Sequence, residues 1–150
     1  MDKNQSRRKF IKNSATATAA ALTIPTIVPA QAFGANDRIN AAVLGLNGRG
    51  KSHIQGFMAQ DNVEITHLCD PDMNILKERQ KQFKEKYDKD IALEQDLRKI
   101  YDNKDIDVVS IASPNHWHAL SVIWACQAGK HVYVEKPMCL YFQEALMIQR

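Results

Sequence analysis

The stretch Ile39-Asn40-Ala41-Ala42-Val43-Leu44-Gly45-Leu46-Asn47-Gly48-Arg49-Gly50 decides the fold of this 150-residue chain. Its first six residues are mostly apolar and predict a buried strand that ends at Gly45, and a helical pattern begins at about Gly50. A glycine-rich turn between a strand and a helix is typical of dinucleotide binding, because glycines permit a tight turn and close approach of the backbone to a pyrophosphate.

The loop departs from the G-x-G-x-x-G pattern at its second glycine position, which is Asn47. Asparagine tolerates left-handed backbone better than most residues, and Gly48 stands beside it, so we expect the loop still to admit a pyrophosphate. An ordinary strand–helix turn is the alternative, and the residues that follow argue against it.

Strand-like and helix-like segments alternate along the rest of the chain. Strands are predicted over residues 63–69, 91–93, 106–112 and 131–134. Helices are predicted over residues 72–87 and 117–127, from about residue 97 and from residue 140 onward. This alternation is the pattern of a parallel sheet with crossover helices. The sequence therefore predicts an α/β fold, a Rossmann-type doubly wound parallel sheet over residues 38–150.

An acidic residue, Asp70, ends the second predicted strand, 25 positions after Gly45. An acidic residue at this place hydrogen-bonds the ribose hydroxyls of NAD and repels the 2′-phosphate of NADP. Asp70 therefore favours NAD. Arg49 would favour NADP if it reached the same ribose, so NADP stays open as a second cofactor.

Two polar segments follow the fourth and fifth predicted strands, Ser113-Pro114-Asn115-His116-Trp117-His118 and Glu135-Lys136-Pro137. Ligands in open α/β sheets bind at the carboxyl ends of the strands, so both segments should face the crevice of the glycine-rich loop. For the histidines, packing around Trp117 and a cofactor contact are equally good interpretations. For Glu135 and Lys136 a surface ion pair is the alternative to the favoured functional role.

In this order the segments resemble the glucose–fructose oxidoreductase / inositol dehydrogenase (Gfo/Idh/MocA) family. The motifs are G-x-x-G-R-G, an aspartate, S/T-P-N-x-x-H and G-K-H-V-x-x-E-K-P, at residues 45–50, 70, 113–118 and 129–137. The resemblance implies a second α/β domain, absent from these 150 residues, that binds a sugar, inositol or related polyol. It also implies association of full-length chains into a homo-oligomer.

The resemblance implies a role for each motif residue. The pyrophosphate would be held by Gly45, Asn47, Gly48, Arg49 and Gly50, and the adenosine ribose by Asp70. The path toward the nicotinamide would be lined by Ser113, Pro114, Asn115 and His118. Glu135 and Lys136 would lie beside the nicotinamide ribose and the reacting carbon. Lys136 is then the candidate catalytic residue, which either accepts the substrate hydroxyl's proton or, while charged, hydrogen-bonds the developing oxyanion.

The expected function is hydride transfer between NAD, or NADP, and a sugar, inositol or polyol. An alternative is an NAD-dependent glycosidase of the α-N-acetylgalactosaminidase type, which also resembles this chain but tends to lack the lysine of E-K-P. A further alternative is a catalytically silent cofactor-binding fragment, because these 150 residues supply no wall for a substrate.

The N-terminal 32 residues have the organisation of an export signal. A basic segment, Ser6-Arg7-Arg8-Lys9-Phe10-Ile11-Lys12, precedes an apolar run and an A-x-A-like cleavage site that ends at Ala32. The paired arginines resemble the twin-arginine signal, which implies export to the periplasm by the twin-arginine machinery, with the cofactor already bound. Pro25 and Pro29 interrupt the apolar run, so we expect no stable membrane anchor. Residues 33–37 would form a linker.

Charge and cysteine content exclude other classes. The net charge is +3, but residues 1–32 hold five basic residues and one acidic residue, which leaves about −1 for the remainder. We therefore expect no nucleic-acid partner. The three cysteines, Cys69, Cys126 and Cys139, have no metal-binding spacing, alone or with the histidines, so no metal is expected and all three are predicted to be buried thiols.

Overall fold

The structure, a computed structural model, describes residues 38–149. Its strands are β1 (Ile39–Leu44), β2 (Val63–Cys69), β3 (Ala92–Glu94), β4 (Val108–Ile111) and β5 (His131–Val134). Its α-helices are α1 (Gly50–Met58), α2 (Met73–Tyr87), α3 (Leu97–Asp102), α4 (His118–Gln127) and α5 (Phe142–Ile148). The strands form one parallel sheet in the order β3-β2-β1-β4-β5, which confirms the predicted Rossmann-type fold.

Strand β1 lies at the centre of the sheet and contributes side chains to both of its faces. Ala42 and Leu44 join one buried apolar cluster, to which α3 and α4 contribute, whereas Ala41 and Val43 join the cluster covered by α1 and α2. A strand buried on both faces must be apolar at successive positions, and residues 41–44 meet that requirement. The glycine-rich loop therefore starts from the buried centre of the sheet.

Several element boundaries differ from the prediction by a few residues. The fourth strand, expected over residues 106–112, spans only Val108–Ile111, and before its start the Ile106 carbonyl accepts a hydrogen bond from Lys130 Nζ at 2.8 Å instead of joining the ladder. Helix α2 begins one residue late, since Asp72 caps it by accepting from the Asn74 amide. A short 3₁₀ turn, Asn115–Trp117, precedes α4, so this helix begins at His118.

The cysteines are not all buried, so that prediction was wrong in part. Cys69 is buried at the end of β2, and burial raises the pKa of its thiol to about 12. Cys139 is half-buried. Cys126 is exposed because it lies on α4 away from the buried residues of that helix.

Two absences concern residues 38–149 alone. No helix in this range is long and apolar enough to cross a membrane. Within the same residues no group of three or more histidine, cysteine or acidic side chains is arranged to hold a metal ion. The predicted signal and linker, residues 1–37, lie outside the described part of the chain.

Candidate dinucleotide-binding site

The glycine-rich loop is closely packed at its ends and open in its middle. Gly45 has φ +83°, and a Cβ there would lie 2.5 Å from the Ser113 amide nitrogen. A Cβ at Gly50 would collide with the carbonyl oxygen of Gly45. At Gly48 an added Cβ would meet nothing within 4 Å. Only glycine fits at the two ends, whereas the middle leaves room for a ligand.

The turn at Asn47 differs from the expectation. Asn47 has no positive φ, and in residues 38–149 the left-handed non-glycine residue is Asp88. The residue of the loop with left-handed backbone is Gly45. Asn47 therefore fits in the loop without adopting a left-handed conformation.

The backbone amides of residues 47–50 are available to bind an anion. Within the described residues these amides donate to no other protein group. They lead into the N-terminus of α1, where the helix dipole also favours negative charge. A pyrophosphate therefore fits here by hydrogen bonding and by charge.

The Leu46 peptide is fixed from both sides. Its amide donates to Asp70 Oδ2 at 2.8 Å, and its carbonyl accepts from Arg79 Nε at 3.0 Å. Arg79 is 4% exposed and extends from α2 beneath the loop. The sequence analysis missed Arg79, although its place between Leu76 and Phe83 on the inward stripe of the helix is a readable signal. These bonds hold the loop in place before any ligand binds.

Asp70 borders a cleft of about 520 Å³ at the carboxyl end of β2. It is 8% exposed, and its second oxygen accepts from the Asp72 amide at 3.0 Å. The same cleft is lined by Gly45, Asp96, Arg98, Pro114, Trp117 and Trp124, among others. Carboxylates and aromatic rings suit the ribose and base of an adenosine.

Among residues 38–149, the arginine that lines the cleft beside Asp70 is already paired with a carboxylate. Arg98 already pairs with Asp96 through two short contacts, at 2.6 and 2.9 Å, and this pairing lowers the pKa of Asp96 to about 2. Arg49, which the sequence left as a possible partner of the ribose, donates instead to Glu135 on the far side of β1. Both observations agree with NAD rather than NADP.

A second cleft, also about 520 Å³, lies at the carboxyl ends of β4 and β5. It brings together six predicted site residues, namely Arg49, Ser113, Asn115, His118, Glu135 and Lys136. The Ser113 hydroxyl is buried and has no hydrogen-bond partner among the described residues, so it can serve a ligand. The first cleft includes the end of β2 and the second the end of β5, which lie on opposite sides of β1 in the sheet, as the two halves of a dinucleotide require.

Glu135 is held by two basic side chains in the second cleft. Its Oε1 accepts from His53 Nε2 at 3.0 Å and from Arg49 Nε at 2.9 Å. These bonds, with that of His53 the larger effect, lower the pKa of Glu135 to about 2. Glu135 is therefore a carboxylate throughout the physiological range. The sequence analysis missed His53, which lies in α1 and shares no motif with Glu135.

His118 lines the second cleft and ties two loops together. It is 1% exposed, and its two ring nitrogens lie 2.7 Å from the carbonyl oxygens of Ser113 and Pro137. This arrangement agrees with the packing interpretation of His118, and its direct contact with the cofactor stays a prediction. His118 thereby links the segment after β4 to the segment after β5, which contains a cis Lys136–Pro137 peptide bond.

The residues present fit a dinucleotide, and comparison with known proteins agrees. The model of the Gfo/Idh/MocA oxidoreductases, an oxidoreductase family with an NAD-binding Rossmann fold, matches residues 39–150. The chain belongs to this family. The NAD-binding Rossmann domain expected from the glycine-rich loop is thereby confirmed.

Solved structures show the same domain within longer chains. Myo-inositol 2-dehydrogenase from Lactobacillus plantarum is 25% identical with a TM-score of 0.64, covering 75% of this chain and 32% of that chain. The WlbA dehydrogenase from Bordetella pertussis, solved with NADH and UDP-GlcNAcA, is 22% identical with a TM-score of 0.68, covering 76% and 32%. At this lower identity the likeness shows the fold alone.

Curated relatives carry a different activity in their names. A glycosyl hydrolase family 109 protein from Shewanella pealeana is 33% identical over 116 residues, which are 75% of this chain and 25% of the relative. The α-N-acetylgalactosaminidase of Shewanella oneidensis is 27% identical over 166 residues, 97% of this chain and 36% of the relative. The chain thus spans a quarter to about a third of these relatives.

Proposed function

We propose that the full-length protein is an NAD-dependent oxidoreductase that transfers a hydride between the cofactor and a carbinol carbon of a sugar, inositol or related polyol. The observation that carries the proposal is Lys136, an ionisable side chain exposed in the cleft that also holds Glu135 and the unpartnered Ser113 hydroxyl. Oxidation of a carbinol transfers a proton as well as a hydride, so an ionisable group is needed beside the nicotinamide half of the site.

Each side of the site has a distinct task in this proposal. The amides of residues 47–50 bind the pyrophosphate, Asp70 binds the adenosine ribose, and the cleft after β4 and β5 receives the nicotinamide end. NAD supplies the hydride acceptor when bound. Lys136 then takes the proton of the substrate hydroxyl or stabilises the oxygen by hydrogen bonding, while Glu135 and Asn115 orient the ligand.

The substrate class is supported by what the related proteins are named for. The solved neighbours include an inositol dehydrogenase, and a curated relative is named for cleavage of an N-acetylgalactosaminide. Both ligands are polyhydroxylated rings. The surface that distinguishes among them would belong to the rest of the full-length chain.

The test is an assay of the full-length protein, loaded with NAD, against a panel of inositols, sugars and nucleotide sugars. We expect net formation of NADH, followed at 340 nm, with at least one carbinol. No NADH from any member of the panel would contradict the proposal.

A second candidate is favoured by the curated relatives, which are glycosyl hydrolases of family 109. In a redox-assisted glycosidase the substrate is oxidised transiently, the aglycone is eliminated, water adds in its place and the hydride is returned, so NAD is not consumed overall. Release of nitrophenol from nitrophenyl α-N-acetylgalactosaminide without net NADH distinguishes this activity from a dehydrogenase.

We also propose that residues 1–32 direct export by the twin-arginine machinery and that the full-length protein works in the periplasm as a homo-oligomer. The support for export is the Arg7-Arg8 pair and the apolar run that follows it. Since that pathway moves folded proteins, the protein would carry NAD across with it, and we expect slow release of the cofactor.

A further inference from the structure

His53 connects strand β4 to the segment after β5 through its two ring nitrogens. It lies three residues into α1 from Gly50 and is almost fully buried, with 4% of its side chain exposed. Nδ1 lies 2.6 Å from the Ser110 hydroxyl in β4, and Nε2 lies 3.0 Å from Glu135 after β5. The imidazole therefore bridges a strand of the core and a carboxylate of the cleft.

The hydrogen-bonding capacity of the three groups decides the direction of each bond. The carboxylate of Glu135 only accepts, so Nε2 must carry a hydrogen. Ser110 is fully buried, and His53 is the partner of its hydroxyl among the described residues, so the hydroxyl can donate to Nδ1. A neutral ring with its hydrogen on Nε2 satisfies all three groups at once. Ser110 thus selects the tautomer that points an N–H at Glu135.

Arg49, the other partner of Glu135, differs from His53 in its surroundings. Its side chain is 69% exposed and belongs to the glycine-rich loop, beside the free amides that suit a pyrophosphate. An incoming diphosphate competes with Glu135 for this guanidinium. His53 has no such alternative, because its side chain is enclosed and both nitrogens are occupied.

The strand order places Glu135 in the nicotinamide half of the site. Asp70 follows β2 on one side of β1, and Glu135 follows β5 on the other, with the anion site of α1 between them. A dinucleotide that spans this crevice with its adenosine at Asp70 brings its second ribose toward Glu135.

We propose that His53 is a positioning residue that holds the Glu135 carboxylate toward the second ribose of the cofactor, in the tautomer selected by Ser110. The bond persists when Arg49 turns to the pyrophosphate, so Glu135 stays in place as the cofactor binds. This inference rests on the proposed NAD-dependent function only through the orientation of the bound dinucleotide.

The test compares NADH with ADP, which lacks the nicotinamide half. Isothermal titration of the full-length protein measures both dissociation constants in the wild type and in His53→Phe combined with Ser110→Ala, which leaves no buried hydroxyl unpaired. We expect the NADH dissociation constant to rise by roughly tenfold, since the hydrogen bond between the second ribose and the charged Glu135 is lost. The dissociation constant of ADP should change by less than about twofold.

Two further variants separate positioning from packing. His53→Gln presents an amide N–H to Glu135 and a carbonyl oxygen to Ser110, so NADH affinity should return to within about threefold of the wild type. Ile54→Val removes a buried methyl group from the next residue of α1 and should leave both dissociation constants unchanged.

Equal loss of NADH and ADP affinity in the double variant would overturn the proposal, because it would mean a general disturbance of the fold. Wild-type NADH affinity in that variant would overturn it as well. These measurements need no substrate. If no carbinol is oxidised but the NADH-specific loss is seen, the proposed activity fails and the role of His53 stands.

Discussion

Replacing Asp70 by alanine should have two separable effects, one on the fold and one on cofactor choice. The Leu46 amide is fully buried and would lose its acceptor at 2.8 Å, and an unpaired buried donor costs about 1–3 kcal/mol. The Asp72 amide, which bonds the other oxygen, is near the surface, and water can replace its partner. We therefore expect the free energy of unfolding to fall by about 1–3 kcal/mol.

The same change should weaken NAD binding by roughly 10- to 150-fold, the equivalent of one charge-assisted hydrogen bond of about 1.5–3 kcal/mol. NADP affinity should change less, because loss of the carboxylate also removes repulsion of the 2′-phosphate. The preference for NAD over NADP therefore narrows. Trp117 and Trp124 line this cleft, so quenching of tryptophan fluorescence in the full-length protein reports both titrations.

Two matched variants separate the effects of Asp70. Asp70→Asn keeps an acceptor for the Leu46 amide but not the charge. It should therefore retain most of the free energy of unfolding while losing the discrimination between NAD and NADP. Asp72→Ala removes the N-cap of α2, which accepts from the Asn74 amide, and should lower the free energy of unfolding by about 1 kcal/mol. It should leave the ratio of the NAD and NADP dissociation constants unchanged. Unaltered NAD and NADP dissociation constants in Asp70→Ala would refute the ribose contact, and an unaltered urea unfolding curve would refute the structural bond.

In the full-length protein, Lys136→Met should reduce turnover by roughly 10²–10⁴, the contribution of a placed acid–base group, and change NAD affinity by less than about tenfold; near-normal turnover would show a structural lysine. The Glu135 carboxylate, with a pKa of about 2 against an ordinary 4.5, adds stability above pH 4.5 that is lost as the pH falls toward 2. The difference in unfolding free energy between wild type and Glu135→Gln should therefore shrink over that interval, and a pH-independent difference would contradict it. For the signal, Arg7→Lys with Arg8→Lys should leave the precursor in the cytosol on cell fractionation, because lysine does not reproduce the guanidinium pair; normal export would contradict the twin-arginine assignment.

The sequence was sufficient to predict those parts of the fold in which a single physical requirement, such as burial or a tight turn, restricts several neighbouring residues. Strands β2 and β5 begin and end at the predicted residues, because β-branched and other apolar side chains recur within them and polar or turn-forming residues flank them. The glycine-rich loop was recognisable because tight turns and close backbone contact restrict residue type at fixed spacing. In the fourth strand, composition could not reveal the bond from Lys130 that precedes its start.

The parts of the site that escaped prediction depend on contacts between distant segments. His53 meets Ser110 and Glu135 across 57 and 82 positions, and Arg79 reaches Leu46 across 33. In the sequence each is one polar residue in an amphipathic helix. Their roles become visible only when the sheet order brings β4, β5 and the loop together. His118 is a related case, since packing was one of its two interpretations but its two carbonyl partners, which lie in separate loops, could not be identified.

Helix α1 sets the distance between two functional groups that otherwise share no element. It starts with Gly50, beneath the anion site, and carries His53 one turn later. An α-helix advances about 1.5 Å and turns about 100° per residue, so inserting or deleting one residue between these positions would swing the imidazole away from Glu135 without altering composition. A polar side chain elsewhere on this helix could not substitute for it. We therefore expect the interval from the last loop glycine to this histidine to tolerate changes of side chain far better than changes of length.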